Sequence, residues 1–257
     1  MSRRLLKTGL LMKARLAWRL ARVGLHLLSG LAQCALLFPW LPLARRNALV
    51  QRWSRQLIAI FGIGLDVRGP RHARGAVVAN HVSWIDVFVL NAVAPCRFVA
   101  KSEVRAWPAI GWLSARAGTL YIARQRRADL VTANATIARH LADGERLALF
   151  PEGTSGAQGS LLPFHANLFQ GIVASRAATL PVALVYLGAD GLPSAAAEYI
   201  GDTSLWQSIV SLLSHGPFTA TVRFCAPIEA MTERRTLAAA SHTAVAAALR
   251  ELVEAPA

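Results

Sequence analysis

From residue 76 to residue 253 the sequence alternates between short apolar runs of strand length and longer segments in which apolar residues have helical spacing. The apolar runs predict strands at 76–79, 97–100, 119–122, 146–150, 180–187 and 218–224. The longer segments predict helices at 84–93, 108–117, 128–142, 165–177, 203–213 and 232–253. Repeated alternation of strand and helix is typical of an α/β layer structure. We therefore predict one α/β domain over residues 62–257, with a largely parallel mixed sheet flanked by helices.

The N-terminal part of the chain has a different pattern, in which cations alternate with large apolar side chains. Eleven lysines and arginines and no acidic residue precede Asp66. Leucines and Trp18 separate these cations, and this pattern is typical of a basic amphipathic helix at a membrane interface. The chain as a whole has a net charge of +14, which indicates a polyanionic partner. Nucleic-acid binders combine cations with polar and stacking residues rather than leucines, so we predict anionic membrane lipids and no nucleic acid.

No charged residue lies within residues 23–44, a run that is long enough to cross a bilayer. Pro39 and Pro42 predict that its helix ends near Phe38. A transmembrane or re-entrant helix and one half of an interfacial hairpin are both consistent with this run. We predict in either case that helices within residues 1–61 anchor the chain to the membrane.

A histidine and a carboxylate follow the first strand of the alternating region. His81 comes directly after the strand and Asp86 lies five residues later. Residues five apart on one ideal helix point roughly 140° away from each other. The two side chains can meet if His81 lies in the turn before a helix that Ser83 caps, with Asp86 one turn inside it. Asp86 would then accept from one ring nitrogen of His81 and leave the other free to take a proton.

Other polar residues follow further predicted strands. Residues 150–156 place glycines and Glu152 after the strand at 146–150, and open α/β sheets bind ligands at such strand ends. Lys101 and Arg124 end two more strands. If these strands are neighbours, both cations share one sheet edge with His81, where they suit a phosphate or carboxylate. The three cysteines are scattered without metal-ligand spacing, so we predict no disulfide framework and no metal site.

Four blocks together resemble the glycerolipid acyltransferase family, which includes the 1-acylglycerol-3-phosphate acyltransferases. The family's block of Asn-His, four residues and Asp matches residues 80–86, and its Phe-Pro-Glu-Gly-Thr block matches residues 150–154. Two further blocks match residues 118–124 and 180–183. The resemblance implies an acyltransferase fold, a membrane location at the cytoplasmic face of the inner membrane, and acyl transfer from acyl-CoA or acyl carrier protein to a lysolipid hydroxyl.

The resemblance also implies a role for each matching residue. His81 would be the general base and Asp86 would orient it. The residues implied in binding the acceptor are Asn80, Lys101, Arg124, Pro151, Glu152, Gly153 and Thr154. Acyl transfer from a thioester needs no metal and no serine nucleophile, and the resemblance implies no cofactor beyond the acyl donor.

One position departs from the family pattern. Ser155 follows Thr154 where the family usually has an arginine that is expected to bind the acceptor's phosphate. The first-ranked acceptor is 1-acyl-sn-glycerol-3-phosphate, the family's commonest one, and lyso-ornithine lipid, which has no phosphate, is the alternative. A protein that binds membranes without catalysis is the alternative of another class.

Overall fold

A computed structural model describes residues 2–72, 74–107, 109–122 and 127–254. Its helices are α1 (Ser2–Leu36), α2 (Leu43–Ile60), α3 (Asp86–Val93), α4 (Ile110–Arg116), α5 (Arg127–Ala142), α6 (Phe169–Ser175), α7 (Leu205–His215) and α8 (Arg234–Glu254). Its strands are β1 (Ile63–Arg68), β2 (Gly75–Ala79), β3 (Arg97–Lys101), β4 (Leu120–Ile122), β5 (Arg146–Leu149), β6 (Thr179–Leu187) and β7 (Phe218–Phe224). The strands and helices predicted for residues 76–253 are present, with ends that differ by a few residues.

The described strands form one seven-stranded sheet in the order β1-β7-β6-β2-β5-β3-β4. β2 lies between β6 and β5 and is parallel to both. β3 is parallel to β5 and to β4, and β1 is parallel to β7. β6 and β7 pair antiparallel. The predicted α/β fold with a largely parallel mixed sheet is therefore confirmed, and the carboxyl ends of β2, β5, β3 and β4 lie along one edge.

β1 is a strand that the sequence analysis missed. It lies at the end of the sheet and pairs with β7. Buried and exposed residues do not alternate regularly along β1, because four of its six residues are exposed. An edge strand of this kind has neither a continuous apolar run nor a clear period of two, so the sequence contains no strong signal for it.

Helices cover both faces of the sheet. On one face α2, α3 and α7 pack through a cluster that includes Phe61, Leu90 and Leu212. On the other face α5, α6 and α8 pack through two smaller clusters that include Ile137 and Leu249. Each such side chain contributes about 1.5–3 kcal/mol when it is fully buried. Because both faces are covered, β2 is buried along its full length and β6 along all but its last residue, which is why both strands are continuous apolar runs.

α1 and α2 form a helical pair at the side of this layer structure. The Trp53 indole stacks on His26 with 4.4 Å between ring centroids, and its N–H donates to the His26 carbonyl at 3.0 Å. Arg19 Nη1 donates to the Leu213 carbonyl in α7 at 2.5 Å. Val23 is buried against the same cluster. The pair is therefore attached to the sheet layer through α7 and α3 as well as through the chain itself.

The rest of α1 leaves large apolar side chains exposed. These are Met12, Trp18, Leu25, Leu28 and Leu36, with Leu37 and Trp40 following the helix. The segment Met12–Trp40 is long and apolar enough to cross a membrane, and only 17% of its most apolar 18-residue stretch is buried in the protein. The helix ends at Leu36 and a 3₁₀ turn over Phe38–Trp40 follows, which confirms the predicted end near Phe38.

Candidate active site

The turn between β2 and α3 brings His81 and Asp86 together. His81 Nδ1 lies 2.8 Å from Asp86 Oδ2. The same carboxylate oxygen accepts the backbone N–H groups of Val82 and Ser83 at 2.8 and 2.9 Å. The contact that the spacing predicted is therefore present in the structure. With Asp86 as acceptor, Nδ1 carries the proton and Nε2 is the basic nitrogen.

Two details of the predicted turn were wrong. Asp86 is the first residue of α3 rather than a residue one turn inside it, and Ile85, not Ser83, occupies the N-cap position. A capping serine would accept the amides two or three residues further along the chain, whereas here the Asp86 carboxylate reaches back to the amides of Val82 and Ser83. Ser83 is fully buried, and its hydroxyl has no hydrogen-bond partner in the described part of the chain.

The Asp86 carboxylate is fully buried and makes one further contact. Its other oxygen, Oδ1, accepts the hydroxyl proton of Tyr186 at 2.6 Å. A buried charge is tolerated only when it is well hydrogen-bonded, and these donors meet that requirement. Burial, followed by the charge of Asp86, raises the pKa of Tyr186 well above its ordinary value of 10, so the phenol remains a neutral donor.

The His81 ring is held in one orientation but is still accessible. It stacks on Phe150 with 4.1 Å between ring centroids and an interplanar angle of 14°. Its side chain is 21% exposed. Nε2 makes no hydrogen bond with any described residue, so this nitrogen can accept a proton from a bound molecule.

Glu152 and the loop after β5 hold the backbone of His81. Glu152 Oε1 accepts the His81 N–H at 2.7 Å, and Oε2 accepts the Leu162 N–H at 2.8 Å. The His81 carbonyl accepts the Gly156 N–H at 2.8 Å. Glu152 is 4% exposed, and burial raises its pKa above the ordinary 4.5 although both amides oppose the shift. Glu152 therefore fixes the backbone of His81, and its role in the acceptor site stays a prediction.

The structure separates the remaining predicted binding residues into buried and exposed ones. Asn80 is buried, and its amide both donates to and accepts from the Leu184 backbone, at 2.9 and 2.8 Å. It therefore extends the pairing of β2 with β6, and its contact with substrate stays a prediction. Pro151 is buried as well, and its carbonyl accepts the His165 N–H. Gly153, at φ 75°, is partly exposed and Thr154 is exposed, so these two residues can reach a ligand.

Of the two predicted cations, only Lys101 lies within the residues that the structure describes. Lys101 is exposed at the carboxyl end of β3. β3 is two strands away from β2, which places that end about 10 Å across the sheet edge from His81. Arg124 lies outside the described residues. Among the described residues, no three His, Cys, Asp or Glu side chains converge as the ligands of a metal would.

Tyr186 and Phe150 are the site residues that sequence reasoning missed as such. Both belong to apolar runs that indicate core. Strand parity is a signal that could have found Tyr186, because residues two apart on β6 point to the same face of the sheet. Leu184 and Tyr186 both lie in the cluster that packs against α3, where Asp86 begins the helix.

Comparison with known proteins adds a second, independent kind of evidence. The Acyltransferase family model matches residues 65–185. Lyso-ornithine lipid O-acyltransferase of Pseudomonas aeruginosa is 38% identical over 245 residues, which cover 92% of this chain and 94% of that protein. The 1-acyl-sn-glycerol-3-phosphate acyltransferase of Neisseria meningitidis serogroup B is 39% identical over 173 residues, which cover 65% of this chain and 68% of that protein.

A solved structure supports the same fold. The crystal structure of the 1-acyl-sn-glycerophosphate acyltransferase from Thermotoga maritima superposes with a TM-score of 0.67 at 20% identity, over 95% of both chains. The Pseudomonas relative, 38% identical over 92% of this chain, agrees with the four sequence blocks and with the turn that joins His81 to Asp86. The chain therefore belongs to the glycerolipid acyltransferase family, and it is an acyltransferase.

Proposed function

We propose that this protein is a membrane-associated O-acyltransferase that moves a fatty acyl group from a thioester to the free hydroxyl of 1-acyl-sn-glycerol-3-phosphate, making phosphatidic acid. The observation that carries the proposal is the His81 ring at the sheet edge, bound to Asp86 through Nδ1 and accessible at Nε2. This is the arrangement of a general base with an orienting carboxylate.

The geometry supports a direct transfer. Nε2 of His81 takes the hydroxyl proton of the acceptor while that oxygen attacks the thioester carbonyl. The tetrahedral intermediate collapses, the C–S bond breaks, and the protonated His81 returns its proton to the departing thiolate. Asp86 stabilises the imidazolium in between, because a buried carboxylate lies 2.8 Å from Nδ1.

The acceptor assignment is supported by the Neisseria relative's name and by the position of a cation. Lys101 is exposed at the same sheet edge as His81, about 10 Å away across two strand spacings. A lysine there suits a phosphate on the acceptor while the acceptor's hydroxyl lies at His81. Thr154 and Gly153 are the exposed residues of the neighbouring loop that would contact the acceptor backbone.

Lyso-ornithine lipid is the second candidate acceptor, and specific observations favour it. Ser155, which stands where the family usually has the arginine, carries no positive charge, and its hydroxyl donates to the Tyr199 carbonyl. The Pseudomonas relative that bears this activity's name matches nearly the full length of the chain. For the acyl donor we propose acyl-CoA or acyl carrier protein, since both are acidic and the chain has a net charge of +14.

For the location we propose a membrane surface, with anionic lipids as partners, on the cytoplasmic face of the inner membrane. α1 has no acidic residue, and its exposed apolar side chains include Trp18, Leu25 and Leu28. Cations beside apolar side chains on a helix are the pattern of an interfacial anchor. The division into an anchoring part at 1–61 and a catalytic domain at 62–257 is part of this proposal.

The test is thiol release from a labelled acyl thioester by the purified protein, with His81→Ala as the variant. Loss of a general base should lower turnover by about 10² to 10⁴-fold. His215→Ala is the matched control, because that exposed histidine bonds the Ser211 carbonyl on α7 and does not contact the site. Near-wild-type turnover in His81→Ala would remove His81 from the mechanism.

A panel of acceptors decides between the two candidates. 1-Acyl-sn-glycerol-3-phosphate, lyso-ornithine lipid and neutral lysolipids are each offered with acyl-CoA and with acyl carrier protein. The lead proposal expects the highest kcat/KM with the phosphate acceptor and a loss of that preference in Lys101→Ala. A preference for lyso-ornithine lipid would replace it. Vesicle binding without thiol release from any pair would instead indicate a non-catalytic membrane protein.

A further inference from the structure

The geometry points to Tyr186 as a positioning residue that sets the pH at which the His81–Asp86 pair gains its proton. The inference rests on the proposed role of His81 as the general base. Tyr186 does not touch the reacting nitrogen, and it acts through the one carboxylate oxygen that faces away from His81.

The contact is short and fixed. Tyr186 Oη lies 2.6 Å from Asp86 Oδ1, and both residues are fully buried. The backbone at Tyr186 is held on both sides by the Gln158 side chain, which accepts the Tyr186 N–H at 3.0 Å and donates to the Tyr186 carbonyl at 2.9 Å. The ring therefore has little freedom to leave Asp86, and the hydroxyl cannot turn to water.

The two oxygens of Asp86 have different surroundings. Oδ2 is shared by His81 Nδ1 and the amides of Val82 and Ser83. Among the described residues, Oδ1 has a single donor, the Tyr186 hydroxyl. A hydrogen bond from a neutral phenol to a carboxylate is short and strong, and it disperses part of the negative charge. The Asp86 carboxylate therefore attracts a protonated His81 ring less strongly than it would without this hydrogen bond.

Within the described part of the chain, few titratable groups contact the pair. Asp86 and Tyr186 face each other, and Glu152 approaches His81 from the loop after β5 through the His81 N–H. Phe150 covers one face of the ring. Without the Tyr186 hydroxyl, Oδ1 would be a buried carboxylate oxygen without a donor. The charge of Asp86 would then act more fully on His81, so the imidazolium form would persist to higher pH.

The experiment is a pH profile of kcat/KM for acyl transfer by Tyr186→Phe, which keeps the ring and removes only the hydroxyl. We expect the midpoint of the acid limb to move up by about 0.5–1 pH unit, because loss of one such bond is comparable with a shift of that size. Activity below the midpoint should then fall by about 3–10-fold, with a change of less than about threefold on the plateau. Tyr199→Phe is the matched control, since Tyr199 lies beside the site and bonds the Val82 carbonyl through its backbone, and it should leave the midpoint in place.

A second measurement reads the same property without turnover. The ring signals of the seven histidines are followed by NMR against pH, and the His81 signal is assigned by its absence in His81→Ala. The His81 midpoint should rise in Tyr186→Phe and fall when 3-fluorotyrosine, a stronger donor, replaces Tyr186. This readout remains valid if the protein shows no acyl transfer, so failure of the proposed function and failure of this inference are distinguishable.

Several outcomes would overturn the inference. A residue that only packs β6 against α3 would lower the melting temperature of Tyr186→Phe and leave both midpoints unmoved. If Tyr186 acts without Asp86, adding Tyr186→Phe to Asp86→Asn should move the pH midpoints as far as it does in the wild type. If it acts through the Asp86 carboxylate, the midpoints should hardly move in the Asp86→Asn variant. An equal shift of the pH midpoints in Tyr199→Phe would show that the loss of any nearby hydroxyl has this effect.

Discussion

Replacing Glu152 with glutamine tests whether the backbone of His81 must be held for catalysis. In the wild type each carboxylate oxygen accepts one amide, from His81 at 2.7 Å and from Leu162 at 2.8 Å. Glutamine keeps the shape but has only one oxygen, so its NH₂ group must face one of the two amides. One charge-assisted hydrogen bond is lost, and a buried N–H is left facing another donor.

The size of the effect follows from that contact. Hydrogen bonds to charged groups contribute about 1.5–3 kcal/mol, so we expect the free energy of unfolding to fall by roughly 2–3 kcal/mol. For a chain of this length such a loss lowers the melting temperature by about 4–12 °C. A base that is displaced by a fraction of an ångström should also lower kcat by about 10–100-fold, with KM changed by less than about threefold.

The assay pairs thermal unfolding in detergent micelles with thiol release at saturating acceptor. Glu198→Gln is the matched control, because Glu198 Oε1 accepts a backbone N–H from the same loop, that of Gln158, without contacting His81. The control should lose stability and keep kcat. If Glu152→Gln loses stability to the same extent and also keeps kcat, the hydrogen bond to the His81 amide does not position the base.

Two further predictions concern the charge of Glu152 and the attachment of α1. Burial raises the pKa of Glu152 above 4.5, so the folded state binds a proton on this carboxyl more tightly than the unfolded state does. Protonated Glu152 therefore stabilises the folded state. This stabilisation is fully present below pH 4.5 and is lost as the pH rises through the raised pKa. As the pH rises through this range, the melting temperature of the wild type should therefore fall relative to that of Glu152→Gln. Parallel curves of melting temperature against pH for the two proteins would contradict the raised pKa. Trp53→Phe removes the indole donor to the His26 carbonyl and should cost about 1–3 kcal/mol. Hydrogen exchange should accelerate in the α1 and α2 peptides and not in β6, with the exposed Trp112→Phe as the control.

The order of strands and helices was predictable from the sequence because it depends on local patterns. A strand covered on both faces, such as β2 or β6, must be apolar throughout, and a helix on the sheet must repeat its apolar residues with helical spacing. The His81–Asp86 contact was predictable for a similar reason, because a turn between residues five apart lets the two side chains meet, whereas one regular helix would point them away from each other.

The tertiary structure alone decided how that pair is supported. Tyr186 is 100 residues from Asp86 and Glu152 is 71 residues from His81, so no local spacing relates them. They meet because β6 and β5 lie on either side of β2, and this strand order depends on how three layers pack together. The backbone contacts of Asn80 and Glu152 were not predictable for the same reason, since a polar side chain beside a site can face a ligand or the backbone of a neighbouring segment. Only the packing determines which of the two it faces.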